Sequence, residues 1–468
     1  MAAGGAAPGR CARAAPHAGG RLRALHVSLA AGRSGTAVLC AETRGCTGLA
    51  LGQHGAVRLP GRRPLSPEPA ASAVSPGFKR GADDMADFDC CAGAVVSVAH
   101  QVQVLASAAL LPADVRAFLD RAEQDNVEFG SAWYDNLCQT VFSGDAGVRF
   151  YVLRTDSTVR AVLPLLARRA PGGWQLYSLS NFYTTLYQPV MDPTLQAADL
   201  LPLLHTLRRE FPWLGSFNLS PMDLDGHPYR ILLGALRLAG WLPYEFFCHG
   251  NWYHLAEPSW AEYLAARSGS LRSTVKRMGK KFAADGGVLE LVTAGPTLEQ
   301  AIQAYQQVYA GSWKRPEPYA GFMPGLIRSC ARQGQLRLGL ARLKGVPVAA
   351  QVWIVAHGRA AIYKVAYHED YKQYAAGTLV TALLMEQVID VDRVKEIDYL
   401  IGDDAYKKTW MAHRRERWGI IAYNPRSPRG LIGLAREIAA RNAKLWLQRW
   451  RSWRQTVTVP TTKQGLKQ

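Results

Sequence analysis

One stretch of the chain constrains the fold more than any other. Residues 336–343, 347–356 and 360–367 are apolar, alternating segments joined by the dipeptides Lys344-Gly345 and His357-Gly358. Two-residue junctions containing glycine predict tight hairpins, so the three segments form an antiparallel meander. Residues 377–391 follow, with Leu379, Val380, Leu383, Leu384 and Val388 at three- and four-residue spacing. That spacing predicts a helix with one face packed on a sheet. A strand at 396–400, a short helix at 405–411 and a strand at 418–423 complete the unit. A strand at 287–293 and helices at 297–309 and 322–333 precede it. Together they predict an α/β mixed sheet.

The preceding part of the chain runs through a similar order. Strand-like sequence begins near residue 95, helices are expected at 112–123 and 129–141, and segments 148–154 and 159–166 read as a hairpin about Asp156 and Ser157. A strand at 174–179 and a helix at 200–210 follow. The expected organisation is therefore two α/β domains in tandem, 95–243 and 250–423. Residues 1–84 are rich in Ala, Gly, Arg and Pro without periodicity, so no packed core is expected there. They read as a disordered extension, similar to a transit peptide, or as sequence upstream of a start at Met85, and a chain beginning at Met85 is expected to fold and keep full activity. Residues 425–455 read as a basic amphipathic helix in which Leu431, Leu434, Ile438 and Leu445 join Trp446, Trp450 and Trp453. Such a helix suits an anionic membrane surface, and equally a docked helix with solvated arginines.

The formal net charge of +18 lies largely in the two ends of the chain. It points to an anionic partner, whether nucleic acid, acidic membrane or an anionic cofactor such as CoA. No run of about 18 apolar residues is present, and the first residues lack a secretory apolar core, which together predict a cytoplasmic protein. The eight cysteines include no CxxC pair and no histidine at zinc-ligand spacing, so reduced thiols and no metal are expected. The signatures of P-loop nucleotidases, serine hydrolases of the Gly-x-Ser-x-Gly type and His-Glu-x-x-His metalloproteases are absent from the sequence.

Thioester acyl transfer needs backbone N–H groups to cradle a pyrophosphate, a proton acceptor for the nucleophile and a donor for the departing thiolate. Gly377, at a helix start after a strand, allows close backbone approach at the positive end of the helix dipole. Residues 363–410, YKVAYHEDYKQYAAGTLVTALLMEQVIDVDRVKEIDYLIGDDAYKKTW, carry the pattern further. Lys364 and Tyr367 sit on a strand, Gly377 opens a helix, Asp398 ends a strand, and Gly402, Asp403, Tyr406 and Lys407 follow. The earlier SWK at 312–314, the basic LRSTVKRMGKKF at 271–282 and SLSNFYTTLYQPV at 178–190 add to it. This set resembles the CelD/BcsL family of GNAT acetyltransferases, associated with cellulose and other envelope polysaccharides, and is more distantly similar to the Fem peptidyltransferases. The resemblance spans about residues 95–423. Ala376 stands where that family has proline, and Gln373, Ala376 and Thr378 only loosely follow the superfamily's phosphate turn.

The resemblance implies two GNAT-like domains, the second catalytic, acting as an acyl-CoA-dependent N- or O-acyltransferase on an envelope saccharide or its precursor. It implies Gly377, Thr378, Gln373 and Lys407 at the acyl-CoA, and Lys364, Tyr367, Trp313, Lys314 and Asp403 at the acceptor. Tyr406 is then the proton donor, with Asp398, Asp403 or His368 as base. Each has a competing reading: Tyr406 as a core aromatic, Asp403 and Asp404 as helix caps, His368 as an exposed loop residue, and Lys364 and Lys407 as surface lysines. Two other functions stay open, a Fem-like transferase using charged tRNA bound by residues 272–281, and a non-catalytic basic RNA- or membrane-binding scaffold.

Overall fold

The computed structural model describes residues 100–457, so the expectations for 1–84 lie outside the described residues. In the first half of the chain, β1 (His100–Leu105) is followed by α1 (Ala113–Ala122), α2 (Ser131–Thr140), β2 (Val148–Thr155), β3 (Thr158–Ala170), β4 (Gly173–Ser178) and the short β5 (Val190–Met191). Then come α3 (Leu201–Glu210), β6 (Leu214–Asp223), α4 (His227–Leu238) and β7 (Leu242–Leu255). The second half holds α5 (Trp260–Ala265), α6 (Gly269–Ala284), β8 (Gly287–Val292), α7 (Leu298–Ala310), α8 (Phe322–Arg332), β9 (Leu336–Leu343), β10 (Val346–Ala356) and β11 (Arg359–Tyr367). It continues with α9 (Ala376–Glu386), β12 (Glu396–Ile401), α10 (Lys407–Trp410), β13 (His413–Tyr423) and α11 (Pro428–Val457).

The hairpin turns form where the dipeptides predict them. Asp156-Ser157, Lys344-Gly345 and His357-Gly358 all have positive φ, the geometry that matches the twist of the flanking strands. The helix expected at 377–391 is regular to Glu386 and widens into a π turn over Gln387–Val391.

All the strands belong to one mixed sheet ordered β1-β2-β3-β4-β6-β13-β7-β12-β11-β10-β9-β8, with β5 beside β3. The order is nearly a palindrome. Each half contributes an antiparallel meander (β2-β3-β4 and β9-β10-β11) followed by one parallel neighbour, β6 beside β4 and β12 beside β11. At the centre the halves exchange strands. β7 follows β6 in sequence and pairs with β12, whereas β13 follows β12 and pairs with β6. β7 and β13 also pair with each other along their length. The boundary expected between residues 243 and 250 therefore falls inside β7, and the two halves share a sheet.

Strand alternation sends neighbouring residues to opposite faces. Phe150 and Val152, with Ala350 and Val352, face α1, α2, α7 and α8 in a core that runs across both halves. Trp133 of α2 meets Phe322 of α8 edge-on at 5.5 Å, and Asn136 donates to the Phe322 carbonyl at 3.2 Å. On the opposite face, α3 and α4 cover the first half and α6 and α9 the second. From Leu434 onward α11 belongs to a second compact unit.

Candidate functional site

β11 and β12 pair in parallel only over Arg359–Ala361 and Glu396–Asp398. Beyond that point the strands splay apart, and residues 362–367 of β11 have no ladder partner on that side. A bulge at the same point sets Ile362 opposite Trp353 and Lys364 opposite Val352, so Tyr363 is the extra residue. Bulges re-aim side chains and end pairing, which is what happens here.

Helix α9 begins beside the free end of β11. Ala375, the residue before it, is left-handed (φ 50°), and no side chain caps the first turn. Its first N–H groups are thus left for another acceptor. Gly377 lies where a Cβ would meet the Tyr367 ring at 3.4 Å. The helix start is tied to the sheet from beneath: Gln351 of β10 donates to the Gly377 carbonyl at 2.8 Å and to Thr381 at 2.7 Å, and Trp353 donates to Gln351 at 2.9 Å.

Several residues anticipated from sequence gather around this opening. Trp313 packs on Tyr367 with ring centres 4.6 Å apart, and His368 lies against Gly311 and the Tyr371 ring. Lys364 pairs with Glu317 at 3.3 Å and lies over the rings of Tyr183 (4.7 Å) and Phe182 (5.3 Å). Lys314 sits over Trp313 and Tyr309. Burial lowers its ammonium to about 8, helped by the charges of Lys364 and Lys407. Burial also lowers Lys364, against the pull of Glu317. Gln373 is exposed and Thr378 half-buried next to Gly377.

Tyr406 stands on the β12 side, edge-on to Tyr399 at 5.6 Å. Its residue is 45% exposed, while burial of the hydroxyl end raises its pKa. Lys407 is buried and turned inward, donating to the carbonyls of Ile401 and Tyr399 and lying 3.5 Å from Asp404. That ammonium closes the end of β12. Asp403 is exposed, bound by the Trp252 indole and by Arg414 at 3.1 Å. Neither Asp403 nor Asp404 caps α10, whose start carries no side-chain cap.

Asp398 is on the other face of β12 from Tyr399, away from Tyr406 and His368. Its carboxylate accepts from the Leu400 N–H at 2.7 Å, from Asn251 and from Arg415. Arg415 also pairs with Glu396 at 2.8 Å and donates to Asn251 at 2.6 Å. Asp398, Leu400 and Arg415 line a cavity of ≈ 480 Å³ whose walls come from both halves. It includes Glu128, Tyr363 and Arg417, on the sheet face opposite α9.

Sequence reasoning missed Glu128, Gln351, Glu317 and Arg415. Glu317 follows the SWK motif closely enough to have been found with it. Arg415 lies in the dense charge run His413–Arg417, where no single residue stands out. Gln351 is a lone polar residue in an apolar strand and Glu128 is one of three acids within residues 123–128, so nothing local marks either.

Residues 269–408 match the family described as "Acetyltransferase (GNAT) domain". No curated protein matches the chain. Among solved structures the chain is similar to FemX (12% identity, TM-score 0.44, covering 59% of this chain and 87% of that one). It is also similar to a tandem GNAT protein from the clavulanic acid biosynthesis pathway (14%, 0.39, 70% and 99%). A third is the C-terminal domain of a putative lysylphosphatidylglycerol synthetase from Agrobacterium fabrum (13%, 0.39, 58% and 83%).

Proposed function

We propose that this chain, which carries a GNAT acetyltransferase domain, is a cytoplasmic acyltransferase that moves an acyl group directly from acyl-CoA to an amine or hydroxyl of an envelope saccharide or its precursor, in the manner of the CelD/BcsL family. The observation that carries this reading is the splay of β11 from β12 beside the uncapped start of α9. Unpaired backbone on β11 suits an amide-bearing arm, and free N–H groups at a helix start suit a pyrophosphate. Gly377 leaves that approach open, and Lys314 and Lys364 supply positive charge nearby. Acyl-CoA brings the activated thioester. The chain's part is to hold it, to donate a proton from Tyr406 to the leaving sulfur, and to present the acceptor from the first half.

Calorimetric titration with acetyl-CoA tests this directly. Binding by the wild type and its loss in Gly377→Val, where a β-branched side chain crowds the helix start, is the expected result. Absence of acetyl-CoA binding in the wild type refutes it.

A second reading is favoured by α6, where Arg272, Lys276, Arg277, Lys280 and Lys281 are exposed. A Fem-like transferase would use this strip to bind charged tRNA. Tight, salt-sensitive tRNA binding by the full chain, lost on charge reversal in α6 and accompanied by no acetyl-CoA binding, selects that reading. Tight tRNA or vesicle binding with no transferase activity selects the basic scaffold.

A further inference from the structure

Glu128 is 3% exposed, on the wall of the ≈ 480 Å³ cavity between the two halves. Its carboxylate accepts from the backbone N–H groups of Thr185 at 2.9 Å and Leu186 at 2.6 Å. Among the described residues no cation pairs with it. Neighbouring charges are already matched: Arg415 with Glu396 and Asp398, Arg359 with Glu396, and Arg417 with Asp223. The groups facing Glu128 are Asp398 of β12, Tyr134 of α2 and Tyr363 of β11, none of them a cation. Neutral donors do not replace a counter-ion for a carboxylate removed from water. Burial, with a contribution from Asp398, pushes the carboxyl up to about 8, so it is neutral while the cavity is empty and ionises when a cation enters beside it.

Arg417 shows a second gap. It is 5% exposed, and its Nη1 lies 2.9 Å from Asp223 without the alignment of a hydrogen bond. That buried N–H calls for an oxygen acceptor from whatever fills the cavity.

We propose that this cavity binds the acceptor as a primary ammonium on a hydroxyl-bearing carrier, with Glu128 as the group that pairs with the ammonium and takes its proton. The binding stands on the cavity alone; the chemistry rests on the acyl-transfer reading above. The ammonium gives one proton to the Glu128 carboxylate. The freed nitrogen lone pair adds to the acyl carbonyl carbon, forming the C–N bond, and collapse of the adduct breaks the C–S bond. Tyr406 protonates the departing thiolate and is restored by the second N–H proton, leaving an amide and a free thiol. Glu128 then returns its proton to solvent, so one proton is released per turnover. This assigns the reaction to N-transfer rather than O-transfer.

The test is calorimetric titration of the full chain, without acyl-CoA, with glucosamine, glucose and N-acetylglucosamine as probes. The expected result is glucosamine binding at least about tenfold tighter than the other two, a preference that Glu128→Gln removes. Glutamine can still accept both backbone N–H groups, so the variant keeps the loop in place. If it fails to fold, the comparison of the three probes on the wild type still decides. Equal affinities, or no binding of glucosamine, overturn the proposal. Acetyl-CoA is titrated separately. Acetyl-CoA binding without an amine preference sinks this proposal alone, whereas an amine preference without acetyl-CoA binding sinks the acyl-CoA reading and leaves the amine pocket standing.

Discussion

At the scale of single residues, three side chains carry the chemistry that can be measured. Tyr406→Phe removes one oxygen and little volume, so the fold and acyl-CoA affinity survive while single-turnover transfer falls about a hundredfold. A tyrosine that only packs on Tyr399 gives the opposite pattern, a lower melting temperature with turnover nearly intact. Lys314 attracts phosphate only while protonated. With its ammonium lowered to about 8, acetyl-CoA affinity is expected to fall as pH rises through 8, and Lys314→Met to flatten that dependence. Glu128 shifts the other way, upward from an unfolded value near 4.5 to about 8. The native state then holds a proton that the unfolded chain has released, so this contribution to stability is full below about 4.5 and is lost as pH rises through 8. Glu128→Gln removes it, and its melting temperature, compared with wild type from pH 5 to 9, should decline less. The role proposed for Tyr406 comes from the sequence resemblance, whereas the shifts of Lys314 and Glu128 were not legible in sequence, because each depends on which charges and rings surround the group.

At the scale of elements, legibility follows locality. The hairpins at Asp156-Ser157, Lys344-Gly345 and His357-Gly358 declare themselves because turn residues and alternation sit within a few positions of one another. β6, α4 and β7 went unread. β6 carries Pro221 within its span, and β7 runs for fourteen residues, Leu242–Leu255, without clean alternation because both its edges and both its faces are occupied in different ways along its length. The start of α9 was legible from Gly377 and the apolar spacing that follows it, yet Gln351, invisible as a lone glutamine in an apolar strand, holds it. Gln351→Leu leaves the Trp353 indole N–H without its partner and removes one of the two side-chain donors to the Gly377 carbonyl. A loss of about 1–3 kcal/mol by denaturant unfolding, with weaker acetyl-CoA binding, is the expected result. In α11, Leu431, Ile438, Leu445, Trp446 and Trp450 are exposed, and Trp446 and Trp450 stack at 6.5 Å. Ending the chain at Gly433 keeps the helix's first turn, where Ser427 and Gly430 meet Asn424 and Trp213. That truncation should abolish binding to anionic vesicles and spare acetyl-CoA affinity. If the full chain never binds vesicles at low salt, the membrane reading of α11 is wrong.

At the scale of the molecule, the palindromic sheet makes the halves interdependent. The repeated order of elements in the sequence shows the duplication, and the exchange of β7 and β13 is hidden because each pairs with a strand far from it along the chain. The exchange also inserts β7 between β13 and β12, so Asn251 of β7 bonds both Asp398 of β12 and Arg415 of β13, and neither half builds that network behind the cavity alone. During synthesis it imposes an order of events. β6 emerges from the ribosome long before β13, and until β13 arrives its edge is an unpaired ladder of N–H and C=O groups. The first half cannot be completed as it is made, and its last strand is delivered only after the entire second half has been translated. A nascent chain stalled before His413 should therefore be bound by chaperones and cut readily near β6. Release of a few dozen further residues should restore protection to the early strands and the late ones together.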